Sequence, residues 1–277
     1  MKLLSFEHHG QPHAGIATPL GVLPVPEINA RRGTRVPNNI LEIIQTGTVD
    51  QLRDTSGIDP LPWCEVTPLV PYDVPPKIWC IGLNYRTHAD DINAVQPEEP
   101  GSFMKPASCM FQPGGIIHLP PASVTNDVDA EGELGVIIGR ECKGISLADV
   151  PNAIFGYTTT LDLTALDVLA RNPRYLTRAK GMDDFFSFGP VIVTADEIPD
   201  VNQLEVITEK NGEVISRDFV HHMRHTPHEL VRFHAEFMTL HPGDLISTGC
   251  PKGARIKPGD HIRARIEGVG TLEATIA

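Results

Sequence analysis

Short runs of apolar and β-branched residues, bounded by glycine, proline or polar residues, dominate the pattern of this chain. Runs of this length and spacing predict strands. We expect two strands near the start, Lys2–Phe6 and Gly15–Val25. The other predicted strands are Ile78–Ile81, Gly132–Gly139, Tyr157–Leu163, Val191–Thr194, Leu204–Thr208, Leu245–Thr248, His261–Ile266 and Thr271–Ile276. The pattern therefore predicts a β-rich α+β fold with few helices.

Two longer helices are predicted among these strands. The first covers Asn84–Ala94 and carries His88. The second begins at Thr226, because Thr226 and Glu229 form a capping-box pattern and Pro227 occupies the first helical position, where proline is favoured. One buried stripe is expected on this second helix, formed by Leu230, Phe233, Phe237 and Leu240.

The first part of the chain differs from the rest. Residues 1–73 are predicted to form a small N-terminal domain and linker, and residues 74–277 the larger domain. Asn39–Thr46 is a short helical pattern inside the small unit. Four prolines in Thr67–Lys77 favour extended chain, which suits a linker.

Composition excludes several classes of protein. The net charge of −12 argues against nucleic acid as a partner, since phosphate binding needs clustered lysine and arginine. No run approaches the length of a membrane span, and the start is too short for a signal-peptide core, so neither a membrane partner nor secretion is expected. Five cysteines without a C-x-x-C pair argue against a disulfide framework or thiolate zinc site and favour the cytoplasm.

Acidic residues recur at every second position in one predicted strand region. Asp127, Asp129, Glu131 and Glu133 would share one strand face, and the strand continues into an apolar run. Asp162 lies inside another predicted strand. Buried acids need a counter-charge, so the pattern suggests a hard divalent cation, namely Mg²⁺, Mn²⁺ or Ca²⁺. A solvated edge strand protected from aggregation by its acids is the alternative.

Seven short motifs follow one another in the chain from about residue 77 onward. They are Ile81-Gly-Leu-Asn-Tyr-Arg-Thr-His88, Phe103-Met-Lys-Pro106, Val128-Asp-Ala-Glu131-Gly-Glu133-Leu134, Asp162-Leu-Thr164-Ala165, Lys180-Gly-Met-Asp183 with Gly189-Pro190, Met238-Thr-Leu240 with Pro242-Gly-Asp-Leu-Ile246, and Thr248-Gly-Cys-Pro251 with Pro258-Gly-Asp260. In this order the motifs resemble those of the fumarylacetoacetate hydrolase family. The first 70 residues look like the small N-terminal domain of many bacterial members.

The resemblance implies a mixed β-sandwich roll built around one divalent metal, usually Mg²⁺ or Mn²⁺. The matching metal ligands are Glu131, Glu133 and Asp162. Asp129 would not bind the metal itself but would hold the ligand side chains in position. Three protein oxygens leave positions open for substrate and water, as a catalytic metal site requires.

The resemblance also implies catalytic and substrate-binding residues. His88 would be the general base, oriented by Asp91 one helical turn later, where the family usually has Glu. Lys180 would stabilise the negative charge that develops on the substrate. The positions expected to bind substrate are Tyr85, Arg86, Lys105 at the pocket rim, Thr248, Gly249 and Cys250.

Besides Asp91, three further positions depart from the family pattern. Leu166 and Leu169 stand where family members often have Arg and Gln, which in hydrolytic members are associated with the substrate carboxylate and the attacking water. Cys250 replaces a usual Thr, and a thiol is a weaker hydrogen-bond donor than a hydroxyl. A cluster of histidines, His221, His222, His225 and His228, is expected to be a solvated loop and not a zinc site.

The leading functional prediction is metal-dependent hydrolysis of a C–C bond in a 2-oxo or 1,3-dicarbonyl acid, in the catabolism of aromatic or related compounds. The substrate would be a small anionic dicarbonyl, and the family suggests a homodimer. An isomerase or decarboxylase of the same family is the first alternative, because the Gln at position 169 is lost. A non-catalytic binding protein is the alternative from another class.

Overall fold

A computed structural model describes residues 1–91 and 94–277, and across these residues the chain forms sixteen strands and six α-helices. The strands are β1 Lys2–His8, β2 Gln11–Thr18, β3 Gly21–Pro24, β4 Thr67–Leu69, β5 Ile78–Gly82, β6 Gly101–Lys105, β7 Ile116–Ile117, β8 Val128–Ile138, β9 Ile154–Ala165, β10 Phe186–Thr194, β11 Glu205–Lys210, β12 Glu213–Phe219, β13 Leu245–Ser247, β14 Ala254–Ile256, β15 His261–Ile266 and β16 Gly270–Ile276. The helices are α1 Val25–Arg32, α2 Ile40–Thr46, α3 Arg86–Asp91, α4 Leu166–Arg171, α5 Leu176–Lys180 and α6 Pro227–Phe237.

The larger sheet has β8 and β9 at its centre. Its strand order is β3-β2-β1-β10-β9-β8-β13-β5-β6, with β14 pairing with β8 and β4 with β1. Most neighbours are antiparallel, but β13 and β5 are parallel, so the sheet is mixed. Every residue of β8 is buried, as is nearly every residue of β9. The prediction that the acidic strand enters the core is therefore confirmed.

The smaller sheet packs against the centre of the larger one. Its order is β12-β11-β15-β16-β7. The two sheets approach closely at Gly132, where an added Cβ would lie 2.6 Å from the Thr208 hydroxyl and 2.9 Å from the Ala264 Cβ. Gly132 thus turns its own face of β8 toward the second sheet, and the alternation of a strand directs Glu131 and Glu133 to the opposite face. The predicted β-rich α+β class and the two-sheet architecture are confirmed.

The N-terminal region contributes strands to the larger sheet. Strand β1 pairs with β2 along one edge, and along its other edge first with β10, in register Lys2↔Val193, and then with β4. The proline-rich stretch contains β4, and Tyr72 within it is buried and donates its hydroxyl to the Gly243 carbonyl at 3.0 Å. The division at residue 73 stays a prediction.

Helix α6 follows its predicted start but not its predicted stripe. Thr226 caps the helix and Glu229 completes the capping box. Phe237, however, is 54 % exposed, and Leu240 lies beyond the last helical residue. The predicted stripe is therefore confirmed only at Leu230 and Leu240, which are buried. The buried residues of the helix itself are Pro227, Leu230, Val231, His234 and Ala235.

The predicted first helix is shorter than expected. Helix α3 covers Arg86–Asp91, and residues 92 and 93 of the prediction lie outside the described residues. Helices α4 and α5 follow β9, the strand that contains Asp162, and neither helix was predicted from the sequence pattern. No helix in the described parts of the chain is long and apolar enough to cross a membrane.

Candidate metal centre

The acidic cluster is formed by two neighbouring strands. The register of β8 against β9 places Glu131 directly opposite Asp162, and Glu133 opposite Thr160. One ligand oxygen from each of Glu131, Glu133 and Asp162 lies within 4.8 Å of the others, and all three side chains are buried. The period-2 pattern therefore brings Glu131 and Glu133 together with Asp162, as predicted. Asp127, the first acid of that pattern, precedes β8 and is half-buried.

Lys180 lies between two of these carboxylates. Its ammonium donates to Glu131 Oε2 at 3.0 Å and to Asp162 Oδ2 at 3.1 Å. The nearby charges of Asp162, Glu131 and Glu133 outweigh burial and raise the pKa of Lys180 above its ordinary value. Burial alone would raise the pKa of Glu131, but the Lys180 ammonium overcomes it and lowers that pKa. Lys180 therefore stays a cation, and two of its three N–H groups are engaged with carboxylates.

Lys105 lies behind Asp162 and not at the pocket rim, which corrects the prediction. Its side chain is fully buried, and the ammonium lies 2.7 Å from Asp162 Oδ1. The three N–H groups point instead to the carbonyls of Leu163, Lys180 and Phe185. Lys105 thus adds a positive charge beside the acidic cluster, and its hydrogen bonds join β9 to the end of α5 and to the loop before β10. Asp162 Oδ1 consequently has no hydrogen-bond donor among the described residues.

Glu133 has no direct cationic partner in the described structure. Its Oε2 accepts from the Ser247 hydroxyl at 2.5 Å and from the Gly249 N–H at 2.9 Å. Burial and the neighbouring carboxylates of Asp162 and Glu131 raise the pKa of Glu133 to about 8. Without a metal this carboxyl holds its proton at neutral pH, so a metal ion that binds here displaces that proton.

The donor set fits a hard divalent cation. Three carboxylates face two ammonium groups, which leaves one negative charge when all three are ionised. Oxygen donors from carboxylates are the ligands of Mg²⁺ and Mn²⁺. Asp162 Oδ1 contacts the Lys105 ammonium but accepts no hydrogen bond from the described residues, so it keeps a lone pair that a metal could use. With such an ion the cluster has a net positive charge, which favours an anionic substrate.

His88 approaches the cluster from α3. One of its ring nitrogens lies within 4.8 Å of ligand atoms of Glu131 and Cys250. The side chain is buried, and Nδ1 has no hydrogen-bond partner in the described part of the chain. The imidazole is therefore placed to exchange a proton with a molecule bound beside Glu131.

The predicted contact between Asp91 and His88 is not formed. Asp91 Oδ1 instead pairs with Lys252 Nζ at 2.7 Å. Lys252 carries a full positive charge and lies close enough to pair with the Asp91 carboxylate. The orienting role of Asp91 therefore stays a prediction for another state of the site.

The predicted substrate-binding positions divide into two groups. Cys250 is buried beside His88 and Glu131, and Tyr85 is buried with its hydroxyl unpaired among the described residues. Arg86 is not brought to the site, since its side chain is 85 % exposed and lies 3.8 Å from Asp90. The hydroxyl of Thr248 donates to the Leu134 carbonyl at 2.8 Å, so this residue fixes the loop after β13.

Gly249 has a conformation that other residues rarely adopt. Its φ is +94°, and a Cβ would lie 2.9 Å from Asn84 Cβ and 3.1 Å from the Ile81 carbonyl. Glycine therefore lets the backbone N–H reach Glu133. Gly249 was expected to contact the substrate, but in this structure its N–H donates to Glu133, a candidate metal ligand.

Sequence reasoning missed the hydroxyl and amide groups that hold the carboxylates. Thr164 donates to Glu131 Oε1 at 2.5 Å, and Thr160 shares a hydrogen bond of 2.6 Å with Ser247. Both threonines are two residues from Asp162, so the same alternation could have found them. Asn84 joins distant segments through the carbonyls of His225 and Thr248, for which local sequence carries no signal.

Leu166, Leu169 and Cys250, which also depart from the family pattern, occupy different surroundings. Leu166 begins α4, and Leu169 packs against the main apolar core. Cys250 lies beside His88 and Glu131. The histidine cluster around residues 221–228 contains no group with metal-ligand geometry in the described residues.

Comparison with known proteins relates this chain both to a family model and to individual proteins over most of its length. Residues 77–277 match the family described as fumarylacetoacetate (FAA) hydrolase C-terminal. The bovine "oxaloacetate tautomerase FAHD2A, mitochondrial" is 34 % identical over 287 aligned residues, covering 98 % of this chain and 90 % of that protein.

Two solved structures share the whole fold. The 2-hydroxyhepta-2,4-diene-1,7-dioate isomerase from Mycobacterium marinum is 30 % identical, with a TM-score of 0.78 over 100 % of this chain and 98 % of the other. The maleylpyruvate hydrolase from Sphingobium sp. SYK-6, solved with manganese(II) and pyruvate, is 25 % identical, with a TM-score of 0.81 over 100 % and 99 %. The chain belongs to the fumarylacetoacetate hydrolase family, which includes hydrolases, isomerases and oxaloacetate tautomerases.

Proposed function

We propose that this protein is a divalent-metal-dependent enzyme that moves a proton between the enol and keto forms of a small 2-oxo dicarboxylic acid. The observation that carries the proposal is His88, a buried imidazole with an unpartnered nitrogen beside the acidic cluster. Enol–keto conversion needs one proton acceptor next to the reacting carbon and no activated water. The bovine relative named as an oxaloacetate tautomerase supports this reading over nearly the whole chain.

Each residue of the centre has a defined task in this proposal. Glu131, Glu133 and Asp162 would hold the metal, which when bound would polarise the oxygens of the 2-oxo acid and stabilise negative charge on them. His88 would accept the proton from the carbon next to the carbonyl and deliver it to the resulting enolate oxygen, and the reverse transfer would convert the enol to the keto form. The third N–H of Lys180 is available for a substrate oxygen, because the other two are bonded to Glu131 and Asp162.

Hydrolysis of a C–C bond, the leading prediction from sequence, is the second candidate. It is supported by the likeness to maleylpyruvate hydrolase over the whole fold. The apolar side chains of Leu166 and Leu169 weaken it, since neither can order an attacking water. A role in the catabolism of aromatic compounds depends on this second candidate.

The cellular setting and assembly also stay proposals. We place the protein in the cytoplasm because of its cysteine usage, although the bovine relative is named as mitochondrial. The homodimer implied by the family is likewise proposed, as is the small anionic dicarbonyl substrate.

The test is a comparison of three reactions with Mg²⁺ or Mn²⁺ present. Loss of the enol absorbance of oxaloacetate, isomerisation of a 2-hydroxy-dienedioate, and cleavage of an acylpyruvate in ¹⁸O-water are followed in parallel. We expect faster enol loss or isomerisation, abolished in His88→Ala. Cleavage with ¹⁸O entering a carboxylate, without enol conversion, would establish hydrolysis instead. No turnover in any reaction would favour a binding protein.

A further inference from the structure

A second group of metal-ligating side chains lies next to the acidic cluster. It consists of His88 from α3, Glu131 from β8 and Cys250 from the loop after β13. One ligand atom of each lies within 4.8 Å of the other two, and all three side chains are buried. These residues are far apart in the chain, so spacing in the sequence could not reveal the group.

The chemistry of this group differs from that of the acidic cluster. It offers one nitrogen, one sulfur and one oxygen, a donor set suited to zinc and poorly suited to Mg²⁺. His88 is 8 % exposed, and its Nδ1 has no hydrogen-bond partner in the described chain. Cys250 is 1 % exposed and is a free thiol.

The distances suit a tetrahedral ion after a small adjustment. Zinc bonds of about 2.0–2.3 Å place neighbouring ligand atoms roughly 3.3–3.6 Å apart. Since the three ligand atoms already lie within 4.8 Å of one another, tetrahedral coordination requires them to approach by at most about 1.5 Å. Both oxygens of Glu131 already accept one hydrogen bond each, and a carboxylate oxygen has a second lone pair for a metal.

We propose that His88, Glu131 and Cys250 form a second metal site, selective for zinc and similar borderline ions, which shares Glu131 with the acidic cluster. Binding forms Zn–N, Zn–S and Zn–O bonds, and the thiol proton of Cys250 is released to solvent. Zinc then occupies the lone pair of His88. The consequence, inhibition by zinc, rests on the proposed function, whereas the binding itself does not.

Cobalt(II) provides the direct test, because cobalt bound to a thiolate absorbs strongly in the near ultraviolet and cobalt bound only to oxygen does not. The metal-free protein is first given excess Mg²⁺ and then titrated with Co²⁺. We expect the thiolate band to saturate at about one equivalent and to disappear when Zn²⁺ is added. Absence of the band in the wild-type protein would overturn the proposal.

Matched variants identify the ligands. Cys250→Ser and Cys250→Ala should lose the band, and His88→Gln should weaken cobalt binding. Cys142→Ser, which removes another buried thiol outside both groups, should keep the band. Circular dichroism confirms folding of each variant. A band that survives in both Cys250 variants would rule out this site.

Turnover measured in the same samples separates the two proposals. For each variant the ratio of turnover with and without one equivalent of Zn²⁺ is compared. We expect zinc to inhibit the wild-type protein and to have little effect in Cys250→Ser. A thiolate band without turnover on any substrate contradicts only the proposed function, and turnover without the band contradicts only the second metal site.

Discussion

The two halves of β8 are equally buried but are stabilised in different ways. The first half contains Asp129, Glu131 and Glu133, and the second contains Leu134, Val136, Ile137 and Ile138. Burying a large apolar side chain is favourable by about 1.5–3 kcal/mol. Burying a carboxylate costs several kcal/mol before its partners are counted. One strand therefore combines a region that stabilises the fold with a region that depends on its neighbours.

The partners of the first half explain how it is tolerated. Lys180 pairs with both Glu131 and Asp162, and Lys105 pairs with Asp162. Arg255 pairs with Asp129 at 2.7 Å. Glu133 accepts hydrogen bonds from Ser247 and Gly249. Without a metal these groups leave Glu133 protonated near neutral pH. The comparison teaches that the first half depends on charged and hydrogen-bonding partners, as the proposed cation site requires, whereas the second half contributes apolar burial.

The largest effect is expected from removing a carboxylate of the first half. Glu131→Ala should abolish metal-dependent turnover, because it removes one ligand of the acidic cluster, and it should leave the fold intact. Calorimetric titration with Mn²⁺ and circular dichroism measure the two properties. Wild-type-like turnover in this variant would refute the assignment of the metal ligands.

A truncation in the second half should have the opposite outcome. Ile137→Ala leaves a cavity in the core and should lower the free energy of unfolding by about 2–5 kcal/mol, while Ile137→Val should cost about 0.5–1.5 kcal/mol. Urea unfolding gives both values. Turnover per folded molecule should be unchanged. A large loss of metal affinity in Ile137→Val would show that the two halves are coupled.

Removing a hydroxyl beside the first half should have an intermediate effect. Ser247→Ala takes one donor from Glu133, so Mn²⁺ affinity should fall about 10–100-fold. Ser187→Ala is the matched control, since that buried hydroxyl bonds to the Phe111 carbonyl. Equal affinities for the two variants would show that the Ser247 contact does not support metal binding.

The smallest effect is expected on the pH dependence of stability, through His234 on the buried face of α6. Burial lowers the pKa of His234, whose Nδ1 donates to the Leu230 carbonyl at 2.7 Å. The unfolded chain takes up this proton at higher pH than the folded chain, so stability is full above about pH 6.5 and falls below it. The slope for one such group is at most about 1.4 kcal/mol per pH unit.

Substitution isolates this effect. His234→Leu should reduce the loss of unfolding free energy between pH 7.5 and pH 5.5, as measured by urea unfolding. Exposed His9→Asn, placed in a turn that asparagine tolerates, should not. An unchanged pH slope in His234→Leu would mean that other groups cause the acid sensitivity.

The alternation of residues predicted the centre better than it predicted the helices. Acids at every second position placed Glu131 and Glu133 on one face, and strand boundaries such as His261–Ile266 agree with the structure. Phe237 misled the prediction because α6 ends there, and an aromatic residue at the last position of a helix need not face the core.

Contacts between distant segments lay beyond the reach of the sequence pattern. The pairing of Asp91 with Lys252 depends on a loop 161 residues away in the chain, and the burial of Lys105 depends on carbonyls of three other segments. Family resemblance identified these positions but not their partners. Local patterning can place a side chain on a face, whereas tertiary packing decides what it touches.

The bond from the Gly249 N–H to Glu133 has an evolutionary consequence. A side-chain donor is lost by a single substitution, but a backbone N–H is present in every residue except proline. Proline cannot adopt the positive φ found here, and larger residues would collide with Asn84. Substitution of Gly249 is therefore limited by its backbone conformation and by the space beside Asn84. Any residue that can occupy this position in the loop still supplies the N–H donor to Glu133.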